Sequence, residues 1–219
     1  MATKTVDFMK EMPIISGLYA IIDTSVTIDS ELQSRAAAVL AGGATTLQYR
    51  DKSRDQGKRR QQAQLLAELC HDRGATFIVN DDYKLAAIVG AQGVHLGEDD
   101  DQLAVARAHL GEAKLIGVSC YNQLTLATRA QQQGADYVAF GRCFPSTTKP
   151  GERYVTVAQI RQARRQLTIP IVGIGGITAG NTRTLRLAGV DAVAVIGGLF
   201  SVPDSEIAAR KLCEQMENL

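Results

Sequence analysis

Acidic side chains stand directly after two short apolar runs of the sequence. Asp81 follows one run, and Asp100 lies just beyond the next. Two carboxylates supply the hard oxygen ligands that Mg²⁺ takes, while the ion keeps some waters and binds phosphate oxygens of a ligand. The alternative is that Asp82 or Asp100 caps the helix that follows. Because Glu98 and Asp99 adjoin Asp100, spacing does not decide which acid would coordinate a metal.

Basic side chains form a second candidate cluster. Gln48, Arg50 and Lys52 alternate along one run, so they lie on one side of a strand. A strand that is otherwise buried should not direct three polar side chains inward without a use for them. Arg offers a bidentate fork and Lys a point charge, so these residues, with Lys149 in a later loop, suit a diphosphate. For Lys149 the alternative is an ordinary solvated surface residue.

Glycine pairs follow two further apolar runs, Gly175-Gly176 and Gly197-Gly198. They leave backbone N–H groups uncovered by any Cβ at the start of a helix, a geometry that binds phosphate monoesters. The alternative is that these glycines only turn the chain or allow close helix packing.

His95, between two apolar neighbours, is either a catalytic base or an interior histidine with its hydrogen bonds satisfied. The sequence shows no Ser-His-Asp or Cys-His arrangement.

Eight apolar, β-branched runs would position these residues, and each is followed by a helical pattern. Continuous apolar runs are typical of parallel strands covered on both faces. About 27 residues per unit suits a βα repeat, so residues 1–219 are predicted to form a single-domain (β/α)8 TIM barrel. An open, doubly wound sheet is the alternative, and residues 1–12 are expected to form an N-terminal arm. The predicted strands are Leu18–Asp23, Thr46–Arg50, Thr76–Asn80, Gly93–Leu96, Leu115–Ser119, Tyr137–Phe140, Ile169–Ile174 and Val193–Ile196.

Composition excludes several classes of function. The formal net charge of +1 offers no basic footprint for nucleic acid, and sparse aromatics without Trp leave little to stack on bases. The N-terminus has no signal-peptide pattern, and no apolar run is long enough to span a membrane. Four scattered cysteines lack metal or redox spacing. We therefore expect a cytoplasmic protein with reduced thiols and small-molecule partners, and the sequence leaves a homo-oligomer open.

Six ordered motifs at strand ends resemble the thiamine-phosphate synthase (thiamine-phosphate pyrophosphorylase) family. They are Gln48-Tyr49-Arg50-Asp51-Lys52, Val79-Asn80-Asp81-Asp82, Val94-His95-Leu96-Gly97, Gly117-Val118-Ser119, Thr148-Lys149 and Gly173-Ile174-Gly175-Gly176-Ile177. The resemblance implies a transferase of thiamine biosynthesis. Such an enzyme joins 4-amino-5-hydroxymethyl-2-methylpyrimidine diphosphate to 4-methyl-5-(2-phosphoethyl)thiazole, or to its carboxylated tautomer. The products are thiamine monophosphate and pyrophosphate, and the implied cofactor is Mg²⁺.

The resemblance also implies a role for each matching residue. Arg50, Lys52, Ser119 and Lys149 would be catalytic, and together with Gln48 and Asn80 they would bind the pyrimidine diphosphate. Asp81 and Asp100 would hold Mg²⁺. The thiazole phosphate would contact Ser146, Thr147, Thr148, Gly176, Ile196 and Gly197. Two positions depart from the family pattern: Gly197 stands where Ser is frequent, and Glu98 where Gln is common.

The residue inventory agrees with a dissociative mechanism. An aminopyrimidine methylene can lose pyrophosphate as a stabilised cation, which asks for charge neutralisation of the leaving group rather than a nucleophile. Closure of the loop 146–149 would then exclude water.

Two other functions are compatible with the same barrel. A related thiazole tautomerase would need a general acid/base after Ser119, where this chain has Cys120 and Tyr121. A non-catalytic phosphate-binding protein would be expected to lack the cation and metal residues.

Overall fold

The computed structural model describes residues 14–97, 100–145 and 154–217, and for residues 100, 101 and 217 the backbone alone. Strands and helices alternate along this part of the chain, and one short 3₁₀ turn, Asp29–Glu31, precedes the first helix. The expected N-terminal arm, residues 1–12, lies outside the described residues. The strands are β1 (Gly17–Asp23), β2 (Thr46–Arg50), β3 (Thr76–Asn80), β4 (Gly93–Leu96), β5 (Leu115–Tyr121), β6 (Tyr137–Gly141), β7 (Ile171–Ile174) and β8 (Ala192–Val195). The helices are α1 (Leu32–Ala41), α2 (Gln56–Arg73), α3 (Tyr83–Ile88), α4 (Asp100–Leu110), α5 (Leu124–Gln132), α6 (Val157–Gln166), α7 (Ala179–Ala188), α8 (Gly197–Phe200) and α9 (Ser205–Glu217).

The eight strands form one closed, all-parallel barrel. Neighbours in sequence are neighbours in the sheet, and β8 returns to pair with β1 from Gly17 opposite Ala192 to Ala20 opposite Val195. The (β/α)8 prediction is confirmed, and the open doubly wound sheet is wrong. In β7 the predicted strand begins two residues early, because Pro170 has no N–H to donate to a neighbouring strand.

The barrel interior is a packed core in which large and small side chains face each other. Tyr19, Ile21 and Tyr137 point inward and meet small residues such as Ala139 and Ala194. A glycine is needed beside the Tyr137 ring, since a Cβ on Gly117 would lie 2.0 Å from its nearest ring atom. A second, larger apolar layer fills the space between the strands and the helices.

Two similar ion pairs fix the amino-terminal end of the barrel. Asp136, before β6, accepts hydrogen bonds from the backbone N–H of Ile116 and from Arg107. Asp191, before β8, does the same with the N–H of Ile171 and with Arg164. In βα barrels this end serves stability, and chemistry takes place at the opposite one.

Within the described ranges, no helix combines the length and apolarity needed to cross a bilayer.

Candidate active site

A cavity of about 1200 Å³ opens at the carboxyl ends of the strands. Side chains or backbone from nearly every strand end line it, and its volume leaves room for more than one small ligand. It brings together nine residues that the sequence predicts at the site: Gln48, Arg50, Lys52, Asn80, Asp81, Ser119, Gly176, Ile196 and Gly197. The strand ends therefore place these residues around a single space.

Five other predicted residues are not placed by the structure. Asp100 begins α4, and its side chain is not described. The residues of the loop after β6, Ser146, Thr147, Thr148 and Lys149, lie outside the described residues. By contrast, Asp82 lies at the start of α3. Its carboxylate accepts a hydrogen bond from the Leu85 N–H at 2.9 Å and pairs with Arg59 at 2.9 Å. Asp82 therefore caps the helix that follows it, which is the alternative that the sequence offered to metal binding.

The cation that ends β2 and the one just after this strand are both paired with carboxylates at the cavity. Arg50 pairs with Asp23 at the end of β1, and Lys52 pairs with Asp81 at the end of β3. Burial acts to raise the pKa of Asp23, but hydrogen bonds from Ser25 and the charge of Arg50 outweigh burial and keep this pKa below its ordinary value. Asp23 was not predicted from the sequence, since it ends an apolar strand without any motif around it.

Asp81 occupies an unusual backbone position. Its φ is 61°, in the left-handed region that Asp tolerates better than most residues, and its N–H donates to the His95 carbonyl at 2.8 Å. The side chain is 41% exposed, so one oxygen can pair with Lys52 while the carboxylate stays open to solvent and ligands. Among the side chains that the structure describes, no three potential His, Cys, Asp or Glu ligands lie together.

His95 is hydrogen-bonded through both ring nitrogens. Its Nδ1 lies 3.1 Å from the Tyr137 hydroxyl and its Nε2 lies 2.9 Å from the Ser119 hydroxyl. Burial lowers the pKa of His95 to about 4, although the nearby Asp81 charge acts to raise it. Of the two roles considered for this residue, the structure favours the interior histidine with satisfied hydrogen bonds.

The turn after β7 exposes backbone to the cavity. Gly175 and Gly176 have φ values of 99° and 63°, and a Cβ on Gly176 would lie 2.4 Å from the Pro145 carbonyl oxygen. Asn181 holds this turn by donating from Nδ2 to the Gly176 carbonyl at 2.9 Å. Next to this turn, at the end of the neighbouring strand β8, Gly197 begins α8, and the first N–H groups of a helix have no acceptor within it. Both turns present amide groups rather than side chains.

Arg142 is a cavity residue that sequence reasoning missed. It follows β6, and its Cα and Cβ lie 3.0 Å from the position that a Cβ on Gly175 would occupy. Its Nη1 is buried and has no hydrogen-bond partner in the described part of the chain. Arg59 Nε is also unpartnered, but Arg59 pairs with Asp82 through Nη2, and Arg142 lines the cavity. A buried guanidinium nitrogen without a partner is costly, which indicates an anionic ligand at this position.

The residues after Ser119 also reach the cavity. Tyr121, 47% exposed, has φ 53° beside a bulge between β5 and β6, and both it and Asn122 line the cavity. No sequence pattern distinguished them from an ordinary loop.

The features of this cavity define a class of protein. A barrel with cations and an acid on one side of its carboxyl-terminal cavity, and amide-rich glycine turns on the other, belongs to the class of βα-barrel enzymes that bind phosphorylated substrates.

Comparison with known families identifies the member of this class. The family model described as thiamine monophosphate synthase matches residues 18–199. The chain therefore belongs to the thiamine monophosphate synthase family, as the strand-end motifs indicated.

The chain aligns with individual members of this family over most of their length. The chain is 51% identical over 195 residues to the thiamine-phosphate synthase of Nitrosococcus oceani, covering 89% of this chain and 90% of that protein. It is 50% identical over 203 residues to that of Thioalkalivibrio sulfidiphilus, covering 93% and 96%. The solved structure of thiamine phosphate pyrophosphorylase from Pyrococcus furiosus superimposes with a TM-score of 0.83 at 31% identity, covering 92% of this chain and 95% of that one.

Proposed function

We propose that this cavity joins 4-amino-5-hydroxymethyl-2-methylpyrimidine diphosphate to a thiazole phosphate, giving thiamine monophosphate and pyrophosphate. Family membership supports the reaction, and the arrangement of charge in the cavity supports the placement of the two substrates. The single observation that carries the proposal is the juxtaposition of Arg50, Lys52 and Asp81 on one side of the cavity with the glycine turns of Gly176 and Gly197 on the other.

The pyrimidine diphosphate belongs on the side of β2, β3 and β5. Arg50 and Lys52 supply positive charge for the diphosphate, and Asn80 and Ser119 add hydrogen-bonding groups beside it. Gln48, 2% exposed, lies deeper on the same face of β2, where an amide can recognise the pyrimidine ring. Lys149 is proposed for the same diphosphate on the resemblance alone.

Mg²⁺ fits this side through its chemistry. Asp81 offers a hard oxygen ligand next to the diphosphate cations, and Mg²⁺ commonly takes only one or two carboxylates plus substrate phosphates. We assign Asp81 and Asp100 as its protein ligands. The ion, when bound, would neutralise charge on the departing diphosphate.

The thiazole phosphate belongs on the side of β7 and β8. The N–H groups around Gly176, Ile196 and Gly197 suit a phosphate monoester, and Ser146, Thr147 and Thr148 are proposed partners by resemblance. Arg142, which follows β6 and lies beside Gly175, adds a cation to the cavity, so an oxyanion of this substrate would pair with its Nη1.

The chemical step needs little from protein acids or bases. The bond between the pyrimidine methylene carbon and the diphosphate oxygen breaks, and its electron pair leaves with pyrophosphate. The thiazole ring nitrogen then donates its lone pair to the methylene carbon. Arg50 and Lys52 stabilise the charge that develops on the leaving group, which is where preorganised cations lower a barrier most.

A pyrophosphate-release assay with both substrates, with and without EDTA, tests the function. We expect release only when both substrates are present, loss of release with EDTA and recovery on adding Mg²⁺. Arg50→Ala and Asp81→Ala should each lower turnover about 100-fold or more while the circular dichroism spectrum is unchanged. Arg210→Ala is the matched control, because Arg210 pairs with Glu206 on the exposed face of α9.

Two results would contradict the proposal. Near-normal turnover of Arg50→Ala or Asp81→Ala at saturating Mg²⁺ would show that the leaving group is stabilised elsewhere. Proton exchange on the thiazole phosphate without any pyrimidine substrate would instead identify a tautomerase. The structure offers that reaction little at the position it needs, since burial raises the pKa of the Cys120 thiol to about 12.

A further inference from the structure

Five side chains from five strands form one continuous hydrogen-bonded chain inside the barrel. Gln48 Nε2 donates to the Tyr19 hydroxyl at 2.8 Å, and the Tyr19 and Tyr137 hydroxyls are 2.9 Å apart. The Tyr137 hydroxyl lies 3.1 Å from His95 Nδ1, and His95 Nε2 lies 2.9 Å from Ser119 Oγ. The two ends of the chain, Gln48 and Ser119, line the cavity. Tyr19 and Tyr137 are buried in the core.

With Gln48 Nε2 as the donor of the first bond, the direction of each further proton in this chain can be worked out. Each phenol hydroxyl carries one proton. Tyr19 accepts from Gln48, so its own proton must go to the other oxygen within reach, that of Tyr137. Tyr137 has then accepted and donates its proton to His95 Nδ1, which must carry a lone pair. The ring proton of His95 is therefore on Nε2, and it is donated to Ser119 Oγ.

We propose that this chain fixes the donor and acceptor groups offered at its two ends, with the Gln48 amide oxygen as an acceptor and the Ser119 hydroxyl as a donor to the bound substrate. Tyr19, Tyr137 and His95 are then positioning residues that act through Gln48 and Ser119. The inference rests on the proposed function, because it assigns these two ends to the pyrimidine diphosphate.

The substrate has matching groups at both ends. An aminopyrimidine carries an exocyclic amino group that donates, which suits the amide oxygen of Gln48. Diphosphate oxygens only accept, so they require the Ser119 proton to point toward them. In the reverse order, Ser119 would donate to His95 and present a lone pair to an anion. Reversal at one end requires reversal at every bond, so the chain couples recognition of the ring to recognition of the diphosphate.

The surroundings of Tyr19 and Tyr137 favour one fixed direction of hydrogen-bond donation along the chain. Burial raises the pKa values of both Tyr19 and Tyr137 above the ordinary value, so both hydroxyls keep their protons at neutral pH. The rings are also in contact: the Tyr19 and Tyr137 centroids are 6.1 Å apart, and those of His95 and Tyr137 are 5.5 Å apart. Gly117 leaves space for the Tyr137 ring and restricts where it can lie.

The first measurement is the tautomer of His95 in the ligand-free protein. Nitrogen-15 NMR of labelled histidine distinguishes the two neutral forms, with His71 and His109 in the same spectrum as internal references. We expect a single Nε2–H tautomer at neutral pH. An Nδ1–H tautomer would overturn the inference, because it requires the opposite order at every bond of the chain.

The second measurement breaks the chain at one hydroxyl. Tyr137→Phe should leave His95 without a fixed donor at Nδ1, so both tautomers should appear. Affinity for inorganic pyrophosphate with Mg²⁺, and the KM for the pyrimidine diphosphate, should each worsen about fivefold, the size of one hydrogen bond. The KM for the thiazole phosphate should change less than twofold. A role confined to core packing would change neither the tautomer nor one substrate selectively.

Controls keep the outcomes separate. Tyr49→Phe removes a buried hydroxyl that bonds Asp51 and Gln62 outside this chain, so it should leave the His95 tautomer unchanged. If Tyr137→Phe does not fold, Tyr19→Phe tests the same order one bond further from Ser119. An unchanged tautomer and unchanged pyrophosphate affinity in the folded variant would overturn the inference. Failure of the proposed function would appear separately, as absence of pyrophosphate release by the unmodified protein.

Discussion

Asp23 shows how a single buried carboxylate can set the position of a cavity cation. Arg50 reaches the cavity from β2, and its guanidinium pairs with Asp23, whose side chain is only 6% exposed. Ser25 donates to Asp23 from both its backbone N–H and its hydroxyl, at 2.9 and 2.6 Å. Because Ser25 fixes the carboxylate, Arg50 has a defined place before any diphosphate binds. Such preorganisation is what makes a charged group effective on a leaving group.

We predict that Asp23→Asn weakens both stability and catalysis. The loss of a charge-assisted pair should lower the free energy of unfolding by about 2 kcal/mol and turnover at least tenfold. The pKa of Asp23 in the folded protein lies below its ordinary value of 3.8, so its contribution is present above pH 3.8 and is lost as pH falls through the lower, folded value. Urea unfolding at a series of pH values measures the loss of stability and its pH dependence, and the pyrophosphate-release assay measures turnover.

The matched control is Asp29→Asn, which breaks the exposed pair with Lys58. It should leave stability at neutral pH unchanged, as is usual for surface pairs. If Asp23→Asn lost stability with falling pH as steeply as the unmodified protein does, Asp23 would not be the group responsible.

At the scale of elements, the turn from β7 to α7 shows how backbone conformation makes a binding surface. Gly176 has φ 63°, and both Phe144 and Pro145 carbonyl oxygens would lie within about 2.5 Å of a Cβ at this position. The segment that follows β6 therefore packs directly on this turn. Asn181, in the first turn of α7, holds the Gly176 carbonyl and also caps the helix through Thr178.

We predict opposite effects for two alanine substitutions in this element. Gly176→Ala should destabilise the fold by about 1–3 kcal/mol, from backbone strain and contact with two carbonyl oxygens, and should raise the KM for the thiazole phosphate at least tenfold. Gly180→Ala, four residues later in α7, should be neutral or stabilising by up to about 1 kcal/mol, because its nearest contact would be 3.8 Å away.

Thermal unfolding and steady-state kinetics measure both variants. A Gly176→Ala protein with an unchanged thiazole KM would remove this turn from the substrate site, whatever its stability.

At the scale of the whole molecule, closure of the barrel decides which residues can meet. β1 pairs on one side with β2 and on the other with β8, so every strand has two neighbours and the sheet has no edge. Closure also brings Tyr19 of β1 against Tyr137 of β6, across the interior. The hydrogen-bonded chain from Gln48 to Ser119 exists only because the sheet closes.

Closure predicts uniform protection of the strands from hydrogen exchange. The amides of β1 and β8 should exchange as slowly as those of β5 and β6, because strands at both ends of the sequence are paired on two sides. Exchange measured by NMR or mass spectrometry at residues 18–20 and 192–195 tests this. Much faster exchange at both segments would indicate edge strands and an open sheet.

Much of the fold could be predicted because its signals are local. Runs such as Thr46–Arg50 and Thr76–Asn80 match the strands residue for residue, since a buried parallel strand is a continuous apolar run wherever its neighbours lie. The helix cap at Asp82 is equally local. Arg142 was missed for the opposite reason, because the unpartnered Nη1 of its side chain becomes evident only when its surroundings are known.

The sequence by itself determined the eight βα units and the polar residues at their carboxyl ends, because both depend on residues close together in the chain. In a parallel barrel all strand ends share one rim, so residues such as Gln48, Arg50 and Ser119 had to gather there. The tertiary structure alone decided the pairing of Asp23 with Arg50 and the hydrogen-bonded contacts that run from Gln48 to Ser119. Those contacts depend on strand register and barrel closure, which bring together residues far apart in sequence to within hydrogen-bond distance.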